Sequence, residues 1–135
     1  MSAPIALTNA QLESVAQGLA ALDGLQTKEG FIPFRFNEET TWDLAVKGAA
    51  FSHATNILNA ALKSLAKQHE VTEGMKVTDE VRDKVGEFFE AKTAMMDKPA
   101  ALPPDLKKID RASLNLGKNA IPPGVLARLM PILES

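Results

Sequence analysis

From Leu44 to Leu62 the chain runs nineteen residues with a single charge, Lys47, and no proline. The stretch lies inside a longer helical reading, Glu38 to His69. A surface helix normally carries a polar face, whereas one that is apolar nearly all round has to be covered on several sides. The expectation is therefore a fold organised around one long helix, packed by the rest of the chain and by a second copy. Leu44, Gly48, Phe51, Thr55, Leu58, Leu62 and Leu65 recur at alternating four- and three-residue steps. That heptad-like stripe suits near-parallel or near-antiparallel packing against another helix. Gly48 and Thr55 are poor knobs, which favours bundle packing over a zipper and permits close helix approach. The other face holds Trp42, Val46, Ala49, Ala50, His53, Ile57 and Ala60. It is small and apolar where a solvated helix would be charged, so either the other helices or an identical subunit must cover it. Trp42, Val46, Ala49, His53 and Ile57 are accordingly the candidate dimer contacts. Lys63, Lys67, Gln68 and His69 restore polarity at the C-terminal end, where cations complement the helix dipole.

Around this rod the chain supplies shorter elements. Thr8-Asn-Ala-Gln11 reads as a capping box. It opens a helix with Leu12, Val15, Ala16, Leu19 and Leu22 on one face, and Gly24 is the expected stop. Phe31, Phe34 and Phe36 fall within six residues. They mark an extended segment with Phe34 and Phe36 on one side, and Pro33 confines it to a sheet edge or an arm. Asn37 is the expected cap of the long helix, with Glu38 and Glu39 at its positive end. Glu70 to Gly74 looks like a turn. Thr78-Asp-Glu then opens a third helix whose apolar face is Val81, Val85, Phe88, Phe89, Met95 and Met96, and whose wet face holds Asp83, Lys84, Glu87 and Glu90. Three prolines in the nine residues Lys98 to Leu106 make a semi-rigid connector. Leu106–Ile109 and Ser113–Leu116 are short candidate strands about a turn at Asp110-Arg111. A last short helix starts near Pro123 and ends at Pro131, with Leu126, Leu129 and Met130 docking on the bundle. The fold class expected is mainly α, on the border of α+β: a small helical bundle around one long central helix with a minor β element. It is read as a single domain over residues 1–135, with a helical core at 1–97 and a connector and docking segment at 98–135.

Composition excludes several functions. With no cysteine, disulfides, thiolate metal sites and cysteine nucleophiles are out, which fits a reducing compartment without requiring one. A net charge of −2 and a pI near 5.7 argue against a general nucleic-acid binder, which needs a basic stripe. One tryptophan and no tyrosine make a poor base-stacking platform. The N-terminus lacks the basic and long apolar regions of a signal peptide. Lys47, His53, Asn56 and Asn59 interrupt the best candidate for a membrane span.

No dinucleotide fingerprint, phosphate loop, nucleophile elbow or zinc-protease motif occurs, so no catalytic residue, metal or cofactor is expected. His53 and His69 are sixteen residues apart, about 160° round a helix, and cannot share a metal. His53, on an apolar face, is expected to be a buried or interfacial hydrogen-bonded histidine. Asn56 and Asn59 would need partners if buried, as packing determinants or as a polar pocket floor. The acidic third-helix residues read as a solvated face, with Asp83 and Glu87 as partner contacts if that face binds protein. Phe34 and Phe36 are core aromatics or, with Arg35 between them, a contact for a partner or an anion. Lys107, Lys108, Arg111, Lys118 and Arg128 form a basic cluster, an ordinary charged loop or an anion site.

The tail Leu114-Asn-Leu-Gly-Lys-Asn-Ala-Ile-Pro-Pro-Gly-Val-Leu-Ala-Arg-Leu-Met-Pro-Ile-Leu133, set behind a leucine-rich first helix, a long helix and a short insert, resembles small accessory proteins of tailed bacteriophages. The likeness is confined to the later half of the chain. It implies action by binding in a bacterial host cytoplasm and identifies no site residue. Two functions follow as expectations. One is a non-enzymatic phage-type accessory protein, a homodimer that inhibits a host-defence protein or assists assembly. The other is a binder that sequesters an anionic nucleotide with Arg35, Lys118, Arg128 and an aromatic of the arm.

Overall fold

A computed structural model describes residues 3–72 and 74–134. Helix α1 (Asn9–Ala20) begins where the capping box predicts, with the Gln11 carboxamide oxygen accepting from the Thr8 backbone N–H at 3.0 Å. Leu12, Val15 and Leu19 form its buried face. The helix tightens into one 3₁₀ turn, Ala21–Asp23, before Gly24 opens an antiparallel hairpin of β1 (Gly24–Thr27) and β2 (Gly30–Pro33). Gly24 thus caps the last helical turn, the stop expected of it, and is also the first strand residue. It has no room for a side chain, because an added Cβ would lie 2.5 Å from the Ile32 carbonyl oxygen.

The long helix α2 (Glu38–Gln68) is capped as expected, with the Asn37 side chain accepting from Thr40 N–H at 2.7 Å. It packs one face on α1 through Phe51, Ala54 and Leu58. The fold is therefore mainly α with a minor β element, built around this one long helix. The expectation that the helix is hidden on more than one flank is corrected within a single chain. Trp42, Val46, Ala49, His53, Ile57 and Ala60 lie exposed, and only Ala50 of that face is half-buried. Asn56 and Asn59 are likewise exposed, so neither is a buried amide in need of protein partners. Lys47, the single charge of the apolar run, is the side chain that goes inside. It is 2% exposed and donates to Asp43 one turn earlier at 2.5 Å.

Helix α3 (Arg82–Met96) starts four residues later than the sequence suggests, and it has no fully buried residue. Thr78 to Val81 form the turn before it. Phe88 lies edge-on to both His69 and Phe89, yet Phe89 itself is exposed and not part of the packed face. The turn expected at Glu70–Gly74 includes Glu73, which lies outside the described residues.

The rest of the core is stitched across the whole chain. Ile5 N–H donates to the Leu106 carbonyl at 2.7 Å and Ala100 N–H to the Leu7 carbonyl at 2.9 Å, so the N-terminal segment runs against the proline-rich connector. Ile5 and Leu7 are buried on that ladder while Ala6 faces out, the alternation of an extended chain. The β3 strand (Ile109–Asp110) pairs in parallel with β4 (Leu133–Glu134). Between them, Arg111–Leu114 is a 3₁₀ turn capped by Asp110, where a strand over Ser113–Leu116 was expected. Helix α4 (Pro123–Leu129) begins on its proline and packs on α1. Leu129 is fully buried and Leu126 half-buried, but Met130 is turned out to solvent by the following 3₁₀ turn.

Candidate functional site

The angle between α1 and α2 holds a groove of about 670 Å³. Ala16, Leu19 and Ala20 line it from α1, and Leu44, Ala45, Gly48, Phe51, Ser52 and Thr55 from α2. Phe34 and Phe36 complete its wall. The hairpin brings them there: Phe34 N–H donates to the Asp23 carbonyl at 3.2 Å, which carries the extended chain back past the end of α1. Alternation along that chain then turns both rings toward the core, half-buried, and leaves Arg35 exposed.

Asn119 fixes the arm in this position. Its Oδ1 accepts from Arg35 N–H at 2.9 Å, and its Nδ2 donates to the Arg35 carbonyl at 2.8 Å and the Leu114 carbonyl at 2.9 Å. The amide is thus a buried structural clamp. Nothing local in the sequence reveals this role, because the partner lies eighty-four positions away.

The groove's walls are small where α1 and α2 face each other. Ala45, Gly48, Ser52 and Thr55 recur at three- and four-residue steps, the signal that marks the groove in the sequence. Close helix approach at Gly48 was the expectation, but no atom comes within 4 Å of a Cβ built there. The floor is apolar, and polar groups sit at Thr41, Ser52, Thr55 and Asn56. The Thr55 hydroxyl is already committed to the Phe51 carbonyl at 2.8 Å. Asp23 is the single charged side chain among the lining residues, and among the described residues no cation pairs with it.

The other candidate residues occupy separate places. Lys118 is exposed next to the Asn119 clamp, and Arg128 on α4 donates to the Gln17 side chain of α1 at 2.5 Å. Arg111 contacts the Met130 sulfur, and the Lys107 backbone forms an antiparallel bridge with Pro4, its side chain exposed. None of these cations lines the groove. On α3, Asp83 and Glu87 are exposed. The neighbouring acids are partly paired: Asp79 meets Arg82 at 2.9 Å and Glu70 meets Lys84 at 2.6 Å. The Lys84 hydrogen bond, reinforced by its charge, holds the exposed Glu70 carboxyl below its ordinary range. Among the described residues no three His, Asp or Glu side chains gather as a metal would require, and no described helix is long and apolar enough to cross a membrane. The outward face of α2 is a second apolar surface, with Trp42 74% exposed.

No protein-family model, curated protein or solved structure matches this chain.

Proposed function

We propose that the protein is a non-enzymatic binding factor that receives an amphipathic segment of another protein in the α1–α2 groove. The observation that carries this reading is the shape and charge of that groove. Its lining follows α2 from Thr41 to Asn56, about 22 Å at the helical rise. That is long enough for about four turns of a docked helix, and its volume is that of a ligand-binding cleft. A helix laid in such a groove inserts anchors at three- and four-residue steps. The apolar floor of Leu19, Leu44 and Phe51 suits aliphatic or aromatic anchors. Asp23, unaccompanied by a cation, favours a basic residue at one end of the docked segment. The same charge pattern disfavours an anionic nucleotide, whose phosphates need the cations that Arg35, Lys118 and Arg128 would supply from elsewhere. A role of this kind suits a phage-type accessory protein that inhibits a host-defence protein or assists assembly in the bacterial cytoplasm.

The test uses a displayed library of random twelve-residue peptides selected against the wild-type chain, with Gly48→Leu as the counter-target. Gly48 has open space around it, so leucine fills the groove without disturbing the core. Peptides carrying spaced apolar anchors and a lysine or arginine should be enriched and should lose binding to Gly48→Leu by tenfold or more. Enrichment of peptides that bind both proteins equally, or of none, would remove the groove as the binding site.

A further inference from the structure

We infer that the outward face of α2 is the seam of an antiparallel homodimer whose two-fold axis crosses the helix at the level of Phe51. The inference concerns the face beside the groove, which shares with it only the edge residues Ala45 and Asn56, and does not depend on the groove's function. At 100° per residue the exposed apolar residues of α2 fall within about 60° on either side of Trp42. That arc bears no charge from Thr40 to Leu62, because Lys47 turns into the core.

The order of residues along the arc is what selects a second copy as the occupant. Antiparallel pairing of identical helices sets residue i against a residue j whose number makes the sum constant, and it keeps like flanks together. With the axis level with Phe51, Trp42 meets the second copy's Ala60, the largest side chain of the arc against one of the smallest. His53 meets Ala49 in the same way, and Val46 and Ile57 lie on one shared flank within one residue of the same level. At the ends, on the other flank, Glu38 lies one residue off the level of the second copy's Lys63, an offset the two long side chains span. A parallel pair would instead set Trp42 on Trp42 and Glu38 on Glu38. The antiparallel register therefore gives large-on-small packing along the seam, opposite charges at its ends and opposed helix dipoles.

The seam from Glu38 to Lys63 is about 38 Å long and one helix wide, a footprint on the order of 400 Å² per copy. This is about half of a standard interface, so the dimer should dissociate on dilution.

The chain has no cysteine, which makes cross-linking decisive. Val46→Cys and Ile57→Cys are prepared as separate single variants at exposed positions, and each is oxidised alone and as an equal mixture. The mixture should form a disulfide-linked dimer and neither variant alone should. In the antiparallel register two copies of position 46 lie about 15 Å apart along the axis, beyond the roughly 7 Å that a disulfide spans. Light scattering at about 1 mM, a concentration matched to weak association, should give twice the 14.5 kDa chain mass, for Gly48→Leu as for the wild type. Cross-linking of either single variant alone would overturn the register in favour of parallel pairing. A dimer that cross-links in no combination, or a one-chain mass at that concentration, would overturn the seam itself. Neither of those results bears on peptide binding in the groove.

Discussion

Asn119 and Lys47 are two polar side chains that the fold buries, and each is satisfied in a different way. Asn119 makes three hydrogen bonds to backbone groups of two separate segments. Replacing it with alanine leaves the Arg35 amide and two carbonyls without partners in a partly buried place. Asn119→Ala should therefore cost about 1–3 kcal/mol, seen as a lowered urea midpoint and faster exchange of the Arg35 amide. A wild-type midpoint would mean that Phe34 and Phe36 alone hold the arm. Lys47 is satisfied within its own helix, by Asp43 four residues earlier. Its burial was not legible because a lone lysine in an apolar run reads as the solvent side. The three-dimensional answer is the reverse: the long aliphatic stem packs inward while the half-exposed Asp43 carboxylate meets the ammonium at the edge.

At the scale of elements, two helical glycines do opposite work. Gly18 of α1 lets α4 sit directly on it, since an added Cβ would come 3.0 Å from Leu129 Cδ2 and 3.1 Å from Arg128 Cβ. Leu129 is fully buried and has little freedom to give way. Gly48 of α2 faces open groove. Alanine is the better helix former by about 1 kcal/mol, so Gly48→Ala should stabilise the protein by up to that amount in urea unfolding. Gly18→Ala should show no gain or a loss. A stabilised Gly18→Ala protein would contradict the tight α1–α4 packing. The helices themselves were legible: Thr8 and Asn37 cap where they should, and Pro123 starts α4. The β1 strand was not foreseen, because Gly24-Leu-Gln-Thr27 carries too little alternation to be read without its partner. The third helix began late because Thr78 and Asp79 have the chemistry of a helix start, yet Arg82 is the first residue that the helix holds.

Across the whole molecule, the core is shared between distant parts of the sequence. Leu12, Val15 and Phe51 are buried with Ile109, Leu114, Leu129 and Ile132 from the last quarter of the chain. The N-terminal segment is held by the connector and by the Glu134 carboxylate, which accepts from Ala3 N–H at 3.2 Å. A chain ending at Asp97 would expose α1 along the face that α4 covers and would lose the ladder that orders Ile5 and Leu7. Residues 1–97 alone should lack a cooperative thermal transition and give poorly dispersed amide resonances. A sharp transition with wild-type dispersion would show that the helices fold without the tail. By contrast α3, with no fully buried side chain, adds little to this shared core.

What the sequence determined by itself is local: the three longer helices and the short one, the caps of α1 and α2, the extended arm and the in-and-out alternation of Phe34, Arg35 and Phe36. Each depends on residues within a few positions of one another, where propensity, capping and periodicity act. The stripe through Phe51 and Leu58 was legible as a packing side, and only the tertiary structure decided that the face opposite it stays uncovered within one chain. A helix apolar around most of its circumference has no dominant moment to orient it. The choice fell to the shapes of α1 and the tail, which take Phe51 and Leu58 and leave Trp42 outside. The clamp of Asn119 on Arg35 and the pairing of the N-terminus with the connector were decided in the same way, by contacts between segments far apart in the chain.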